Sequence, residues 1–269
     1  MEPTRILYIY QEIFPYTPET FASKICRELP QFMQENGNFE VRVFVPCYGV
    51  INERRNQLHE VQRLSGLNMI VNDNDHQLII KVASIQSARL QIYFIDNEAF
   101  FKRRAMLLDD NGESFKDSDE RMIFYTRGVL ETIKKLRWTP NIIHCNGWFS
   151  SLAPLFIKTM YSSDPFYAKS KVIFSIYNDK FNNGINKKLE KKLGVKEIEK
   201  QKVIKDKDIS WETLIKLASE YSDVITEGEK EVKTLTKGVI DPKTHTYIKY
   251  KEDMKPIYLN LYNEILGKQ

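Results

Sequence analysis

Short apolar runs alternate with amphipathic helical stretches along most of the chain, and nothing else in the sequence constrains the fold as much. Ile6–Tyr10, Val41–Val45, Ile142–His144, Ile173–Ile176 and Val224–Thr226 each read as a short buried strand. Ala22, Ile25, Cys26, Leu29, Phe32 and Met33 recur at three- and four-residue spacing, one buried face of a helix that ends near Asn36-Gly37. Met122, Tyr125, Thr126, Val129, Leu130 and Ile133 do the same in "DERMIFYTRGVLETIKKLRW", whose basic residues gather toward its C-terminal end. "WFSSLAPLFIKTMY" and "WETLIKLASEY" read as further helices, and "HQLIIKVAS" with "RLQIYFID" as an antiparallel hairpin. The alternation predicts an α/β chain: a single Rossmann-like, doubly wound, mostly parallel sheet with a β-hairpin insertion.

Composition narrows the function classes. Of 269 residues, 42% are apolar and 28% charged, a soluble globular balance. No apolar run approaches the ~18 residues of a membrane span, and no signal peptide precedes the first strand. Cys26, Cys47 and Cys145 are odd in number and lack CxxC spacing, as expected of reduced core thiols in a cytoplasmic protein that holds no metal. A net charge of +4, spread along the chain, argues against nucleic acid as a partner. Lys187 to Lys207 mix lysine with glutamate and read as a solvated insertion. His59, His76 and His245 read as surface residues. GxSxG, P-loop and complete GxGxxG motifs are absent, so no cofactor is expected.

The turn after the first strand, "YQEIFPYTPETFASKICRELP", contains no glycine where α/β enzymes commonly place a phosphate cradle. Thr17 is the expected N-cap of the following helix, with Pro18 at its first position and Glu19 in its first turn. Thr17 would then consume the free N–H groups and Pro18 would remove one. Glu19, at roughly 4 Å, would oppose a diphosphate by a few kcal/mol at an effective dielectric near 20. Phe21 would block close backbone approach.

Seven stretches in order carry a resemblance: "EIFPY", "RVFVPCYG", "IYFIDNEAFFKRR", "FKDSDERMIFYTRGVLE", "PNIIHCNGWFSSLAP", "VIFSIYND" and "LIKLASEYSDVIT". From about residue 5 to 228 the chain resembles the N-terminal domain of bacterial glycogen synthases and plant starch synthases. The resemblance implies one half of a GT-B fold, and transfer of glucose from ADP- or UDP-glucose to an α-1,4-glucan with retention and without metal. It also implies substrate-binding positions at Asp117, His144, Asn146, Trp148, Tyr177 and Asn178. The family's loop Lys-Thr-Gly-Gly-Leu-x-Asp is degenerate here, with Pro18, Glu19, Thr20, Phe21 and Lys24 departing from it. In the family's His-x-His-Asp-Trp the second histidine becomes Asn146 and the aspartate Gly147. Its Thr-x-His-Asn becomes Ser175-Ile176-Tyr177-Asn178, and its Ser-Pro-Thr-Tyr becomes Glu227-Gly228-Glu229-Lys230. Asp117, Glu120, Arg121, His144, Trp148 and Asn178 match. About 40 residues follow, fewer than a second Rossmann domain needs.

Structural readings compete at the matched positions. Asp117 could cap the helix that follows, with Glu120 completing a capping box. His144 could be a hydrogen-bonded core histidine, and Trp148 could pack the start of its helix. The favoured function is a degenerate relative, inactive alone and retained to bind a glucan, a nucleotide or a protein. The alternatives are a transferase completed by a second chain, or an unrelated small-molecule enzyme using Asp117, His144 and Tyr177. Residues 1–230 are expected to form the domain. Residues 231–269 form an extension whose amphipathic helix, Lys255–Leu266, docks through Ile257, Leu261 and Ile265. Phe14, Tyr16, Phe21 and Trp148 are expected to expose an aromatic patch that a homodimer or protein partner covers.

Overall fold

The computed structural model describes residues 2–186, 188–193 and 209–267. Its centre is one sheet in the order β10-β9-β8-β7-β1-β2-β6-β5-β3, with β4 paired to β5. The strands are β1 Thr4–Tyr10, β2 Phe39–Pro46, β3 His59–Glu60, β4 Leu67–Val71, β5 Asn74–Ile85, β6 Leu90–Asp96, β7 Ile142–Asn146, β8 Lys171–Ile176, β9 Val224–Glu227 and β10 Thr246–Ile248. All five apolar runs join it, and every pairing from β10 through β6 is parallel. The hairpin forms as expected, β5 antiparallel to β6. β7 is buried along its whole length, as a strand covered on both faces must be.

From β1 the chain steps to β2 in one direction, whereas β7, β8 and β9 step away in the other. Right-handed crossovers then put the intervening helices on opposite faces. Helix α1, Phe21–Asn36, shares one face with the C-terminal helix Lys255–Ile265. Helices Ser118–Lys135, Leu152–Lys158 and Trp211–Glu220 pack together on the other. The reversal falls between β1 and β7, and ligands of such sheets bind outside the carboxyl ends at that point.

Several expectations change. Helix α1 begins at Phe21 with Thr20, not Thr17, as its N-cap. The Thr20 side chain accepts from the Ser23 N–H, and the Ser23 hydroxyl accepts from the Thr20 N–H, a closed capping box. Pro18 and Glu19 therefore lie before the helix, and Glu19 pairs with Lys24 at 2.5 Å. Thr17 instead ties its own loop, its hydroxyl accepting from the Ile13 N–H at 3.0 Å. The aromatic patch does not form: Trp148 and Tyr16 are buried, Phe14 is half-buried, and Phe21 is 44% exposed. His76 is half-buried and stacks near Phe100, 4.4 Å between ring centres, so it is not a surface residue. Most of the Lys187 to Lys207 stretch lies outside the described residues. The described Leu189 and Leu193 are buried, and Lys192 is held by Asp119 and Glu120 at 2.6 Å each, so this part packs against the protein on one side while Lys188 and Lys191 are exposed on the other.

The C-terminal helix docks, but on tyrosines. Tyr258, Leu261 and Tyr262 are its buried residues, while Ile257 and Ile265 are only partly covered. The two hydroxyls decide the register. Tyr262 meets His144 Nδ1 at 2.6 Å, and Tyr258 meets Ser175 and Thr226 at 2.9 and 2.8 Å. Tyr262→Phe should lower unfolding free energy by about 1–3 kcal/mol, since it leaves a buried imidazole nitrogen unpaired. Ile265→Ala, on the less covered side, should cost clearly less. Urea titration of the two variants checks the order.

Candidate functional site

Four strand ends meet at the β1/β7 reversal. β1 delivers Gln11 and Glu12, β7 delivers Asn146 and Gly147, β8 delivers Tyr177, Asn178 and Asp179, and β9 delivers Glu227 and Glu229. Gln11 is the keystone. Its Nε2 donates to Asp179 Oδ2 at 2.9 Å and its Oε1 accepts from the Phe149 N–H at 3.1 Å. Asp179 also accepts from the Trp148 N–H at 3.0 Å and from Trp211 Nε1 at 2.8 Å. Burial pushes the Asp179 carboxyl up to about 7, against those three donors, which favour the anion.

Two glycines explain how the family pattern has been rebuilt. Gly147 stands where the family has aspartate and adopts φ +77; a Cβ there would lie 2.3 Å from the Gln11 carboxamide. Gly228 stands where the family has proline; a Cβ there would lie 2.6 Å from the Tyr177 ring. Each glycine thus makes room for a neighbouring side chain, Gln11 at Gly147 and Tyr177 at Gly228. Tyr177 turns inward, its hydroxyl donating to Asn146 Oδ1 at 3.2 Å, and burial raises its phenol well above the ordinary range.

A carboxylate from the end of β1 stands against the first loop. The Thr20 hydroxyl donates to Glu12 Oε2 at 2.7 Å, so an anion already stands beside the N-terminus of α1. Burial, with the nearby Glu229 charge adding, raises the Glu12 carboxyl above its usual range. Burial also raises Glu229, which accepts from the Asn178 N–H. Glu227 accepts from the Tyr247 hydroxyl at 3.0 Å and the Tyr250 N–H at 2.8 Å, tying β10 and its following turn to the strand ends.

The sequence-derived candidates divide. Asn146, Trp148, Tyr177 and Asn178 do lie at the strand ends. His144 is fully buried beneath the C-terminal helix, with Tyr262 on one ring nitrogen and Ser175 on the other at 2.6 Å. Burial drops its pKa to about 3, so it stays neutral. Asp117 does not cap: its side chain makes no cap hydrogen bond and is gripped by the Arg103 guanidinium, Nη1 to Oδ1 at 2.9 Å. Glu120 serves Lys192 and Asn72 instead of a capping box. Pro18 contributes only a carbonyl that accepts from the Ser23 hydroxyl, and Lys24 faces Glu19. Gln11, Glu12 and Asp179 were missed. Their signal was position, immediately after strands at the carboxyl edge.

Elsewhere Cys47, Glu53 and Asp96 bring ligand atoms within 4.8 Å of one another. Lys81 reaches both carboxylates, at 2.7 and 2.6 Å, and Lys102 reaches them at 2.6 and 3.3 Å, so ammonium groups supply the cation there. Among the described residues no helix is long and apolar enough to cross a membrane.

Two measurements follow from this geometry. Gly147→Ala should destabilise by about 2–4 kcal/mol, from left-handed strain plus the clash with Gln11. Adding Gln11→Ala should recover only the steric share, which a double-mutant cycle in urea resolves. For Asp179, the folded value near 7 lies above the ordinary 3.8. Its contribution to stability is therefore full below about 4 and is lost as pH rises through about 7. Asp179→Asn should flatten the stability–pH curve across that window.

The sequence family described as starch synthase catalytic domain matches residues 5–235. Glycogen synthase of Chlorobium limicola is 38% identical over 175 residues, covering 65% of this chain and 36% of its own length. Glycogen synthase of Chlorobium chlorochromatii is 39% identical over 176 residues with the same coverage. The chain thus aligns with about a third of the length of these curated relatives. The catalytic domain of starch synthase IV from Arabidopsis thaliana, solved bound to ADP and acarbose, superposes with a TM-score of 0.70 at 16% identity. That match covers 94% of this chain and 52% of that one, and it carries the fold.

Proposed function

This chain belongs to the starch synthase catalytic domain family, and on that premise we propose a degenerate member: it transfers no glucose by itself and is retained for binding. The observation that carries this reading is the closed Thr20–Ser23 capping box at the N-terminus of α1, built from a loop that departs from the family's at Pro18, Glu19, Thr20, Phe21 and Lys24. The helix N-terminus that could meet a phosphate is capped by Thr20 and Ser23 and faces a carboxylate. Glu227 and Glu229 add carboxylates around the same strand ends, beside an Asp179 that is only partly ionised near pH 7. A diphosphate entering there meets like charge, worth a few kcal/mol per close pair at an effective dielectric near 20. A neutral glucan suits the site better than a nucleotide, because its hydroxyls donate to carboxylates. A protein partner at this face, a second copy included, is the other occupant this reading allows.

A second reading is a transferase completed by another polypeptide. The names of the relatives favour it, since the glycogen synthases that match extend well beyond the aligned part.

Radiolabelled ADP-glucose and UDP-glucose incubated with glycogen and the purified chain test the first reading. Incorporation should not exceed that of an Asp117→Ala/Asn146→Ala double variant. Each lost transition-state contact typically costs ~10²–10³ in rate, and several are lost together. Transfer above the variant overturns inactivity. Electrophoresis through glycogen-containing gel should retard the chain, and unretarded migration removes the glucan.

A further inference from the structure

Two of the four most exposed large apolar side chains, Ile70 at 60% and Met160 at 37%, line a single concavity of about 470 Å³. None of its lining residues comes from the strand ends. Ile70 lies on β4, Met160 just after the Leu152–Lys158 helix, and the remaining wall comes from Asn72 and Asp73 in the β4–β5 turn, from Arg127, and from the short helix Leu189–Lys192 with its flanking Lys188 and Leu193.

The wall is basic. Lys192 is already neutralised by Asp119 and Glu120. Arg127 uses one Nη1 donor on the Ile70 carbonyl at 2.7 Å, and among the described residues neither it nor Lys188 nor Lys191 pairs with a carboxylate. Asp73 is the one acidic residue of the described lining. Three cations without a carboxylate partner among the described residues, beside an apolar floor, select an anion that carries an apolar group.

We propose that this concavity is a nucleoside-phosphate site, with phosphate on Lys188, Lys191 and Arg127 and the base on Ile70 and Met160. The volume falls in the range of small-molecule sites. A thioether and a branched aliphatic side chain form a suitable contact for a planar aromatic ring. A sugar phosphate would satisfy the cations and leave the floor wet, and free phosphate would use none of it. The site is separate from the strand-end cleft, so this assignment and the cleft reading stand or fall independently.

Titration calorimetry on the whole chain tests it with ADP as probe, and with adenosine, inorganic phosphate and glucose 1-phosphate as comparisons. ADP should saturate at sub-millimolar concentration and bind about tenfold or more tighter than each comparison. Lys188→Glu/Lys191→Glu should weaken ADP about tenfold or more, and Ile70→Ser severalfold. Lys233→Glu, exposed on the short helix Val232–Leu235 and outside both sites, should leave ADP affinity unchanged. Raising salt from roughly 50 to 500 mM should weaken ADP in the unaltered chain, an arm that needs no variant. No saturation at millimolar ADP, unchanged affinity in the lysine reversal, or glucose 1-phosphate binding as tightly as ADP would overturn the proposal.

Discussion

A row of polar side chains lies on one face of the central sheet, and each must find its partner without water. Tyr8 and His144 are register partners across β1 and β7, and Ser175 and Thr226 across β8 and β9. Along a strand, positions two apart share a face, so all four point toward the C-terminal helix. An imidazole and two hydroxyls buried there would cost several kcal/mol if left unpaired. Ser175 bonds His144 and Thr226, at 2.6 and 2.5 Å, and Tyr258 and Tyr262 complete the set from above. The helix is therefore required by the sheet's own chemistry. His144 is therefore a core residue, its two nitrogens spent on Tyr262 and Ser175.

The same logic governs the strand ends. Backbone donors at the strand ends must be satisfied, and here the chain's own side chains do so. Gln11 and Asp179 take the N–H groups of Trp148 and Phe149, and Glu229 takes that of Asn178. Gln11 needs Gly147 and Tyr177 needs Gly228, because a Cβ at either glycine would overlap the incoming group. Glycine and neighbouring side chain are thus coupled in pairs, each a filler with the space it fills.

The fold was legible because its signal is periodicity. Runs such as Ile142–Asn146 are buried on both faces, and their apolar character survives any local detail. Local chemistry was less legible. Thr17 and Thr20 both precede the apolar spacing of α1, and only Ser23, three residues after Thr20, distinguishes the true cap. The docking face of the C-terminal helix was misread because Tyr258 and Tyr262 carry hydroxyls that look solvent-facing until buried partners are known. Asp117 with Glu120 fits a capping box by spacing, yet Arg103 and Lys192 arrive from distant sequence and win both carboxylates. Long-range charge pairing has no footprint in a local window.

Charge gives the last step. A net +4 spread along the sequence suggests no electrostatic preference. In three dimensions the signs separate. Glu12, Asp179, Glu227 and Glu229 come from the ends of three parallel strands and converge because all such ends point one way. Arg127, on the Ser118–Lys135 helix, gathers instead with Lys188 and Lys191, at the short helix Leu189–Lys192, around the concavity beside Ile70 and Met160. Potentials decay over about 10 Å at ordinary ionic strength, so the two regions act as separate local fields rather than cancelling. One field opposes an approaching phosphate and the other attracts it. A mutation that restored glycines to the first loop would therefore leave its electrostatics almost unchanged, because Glu12 and Glu229 would remain.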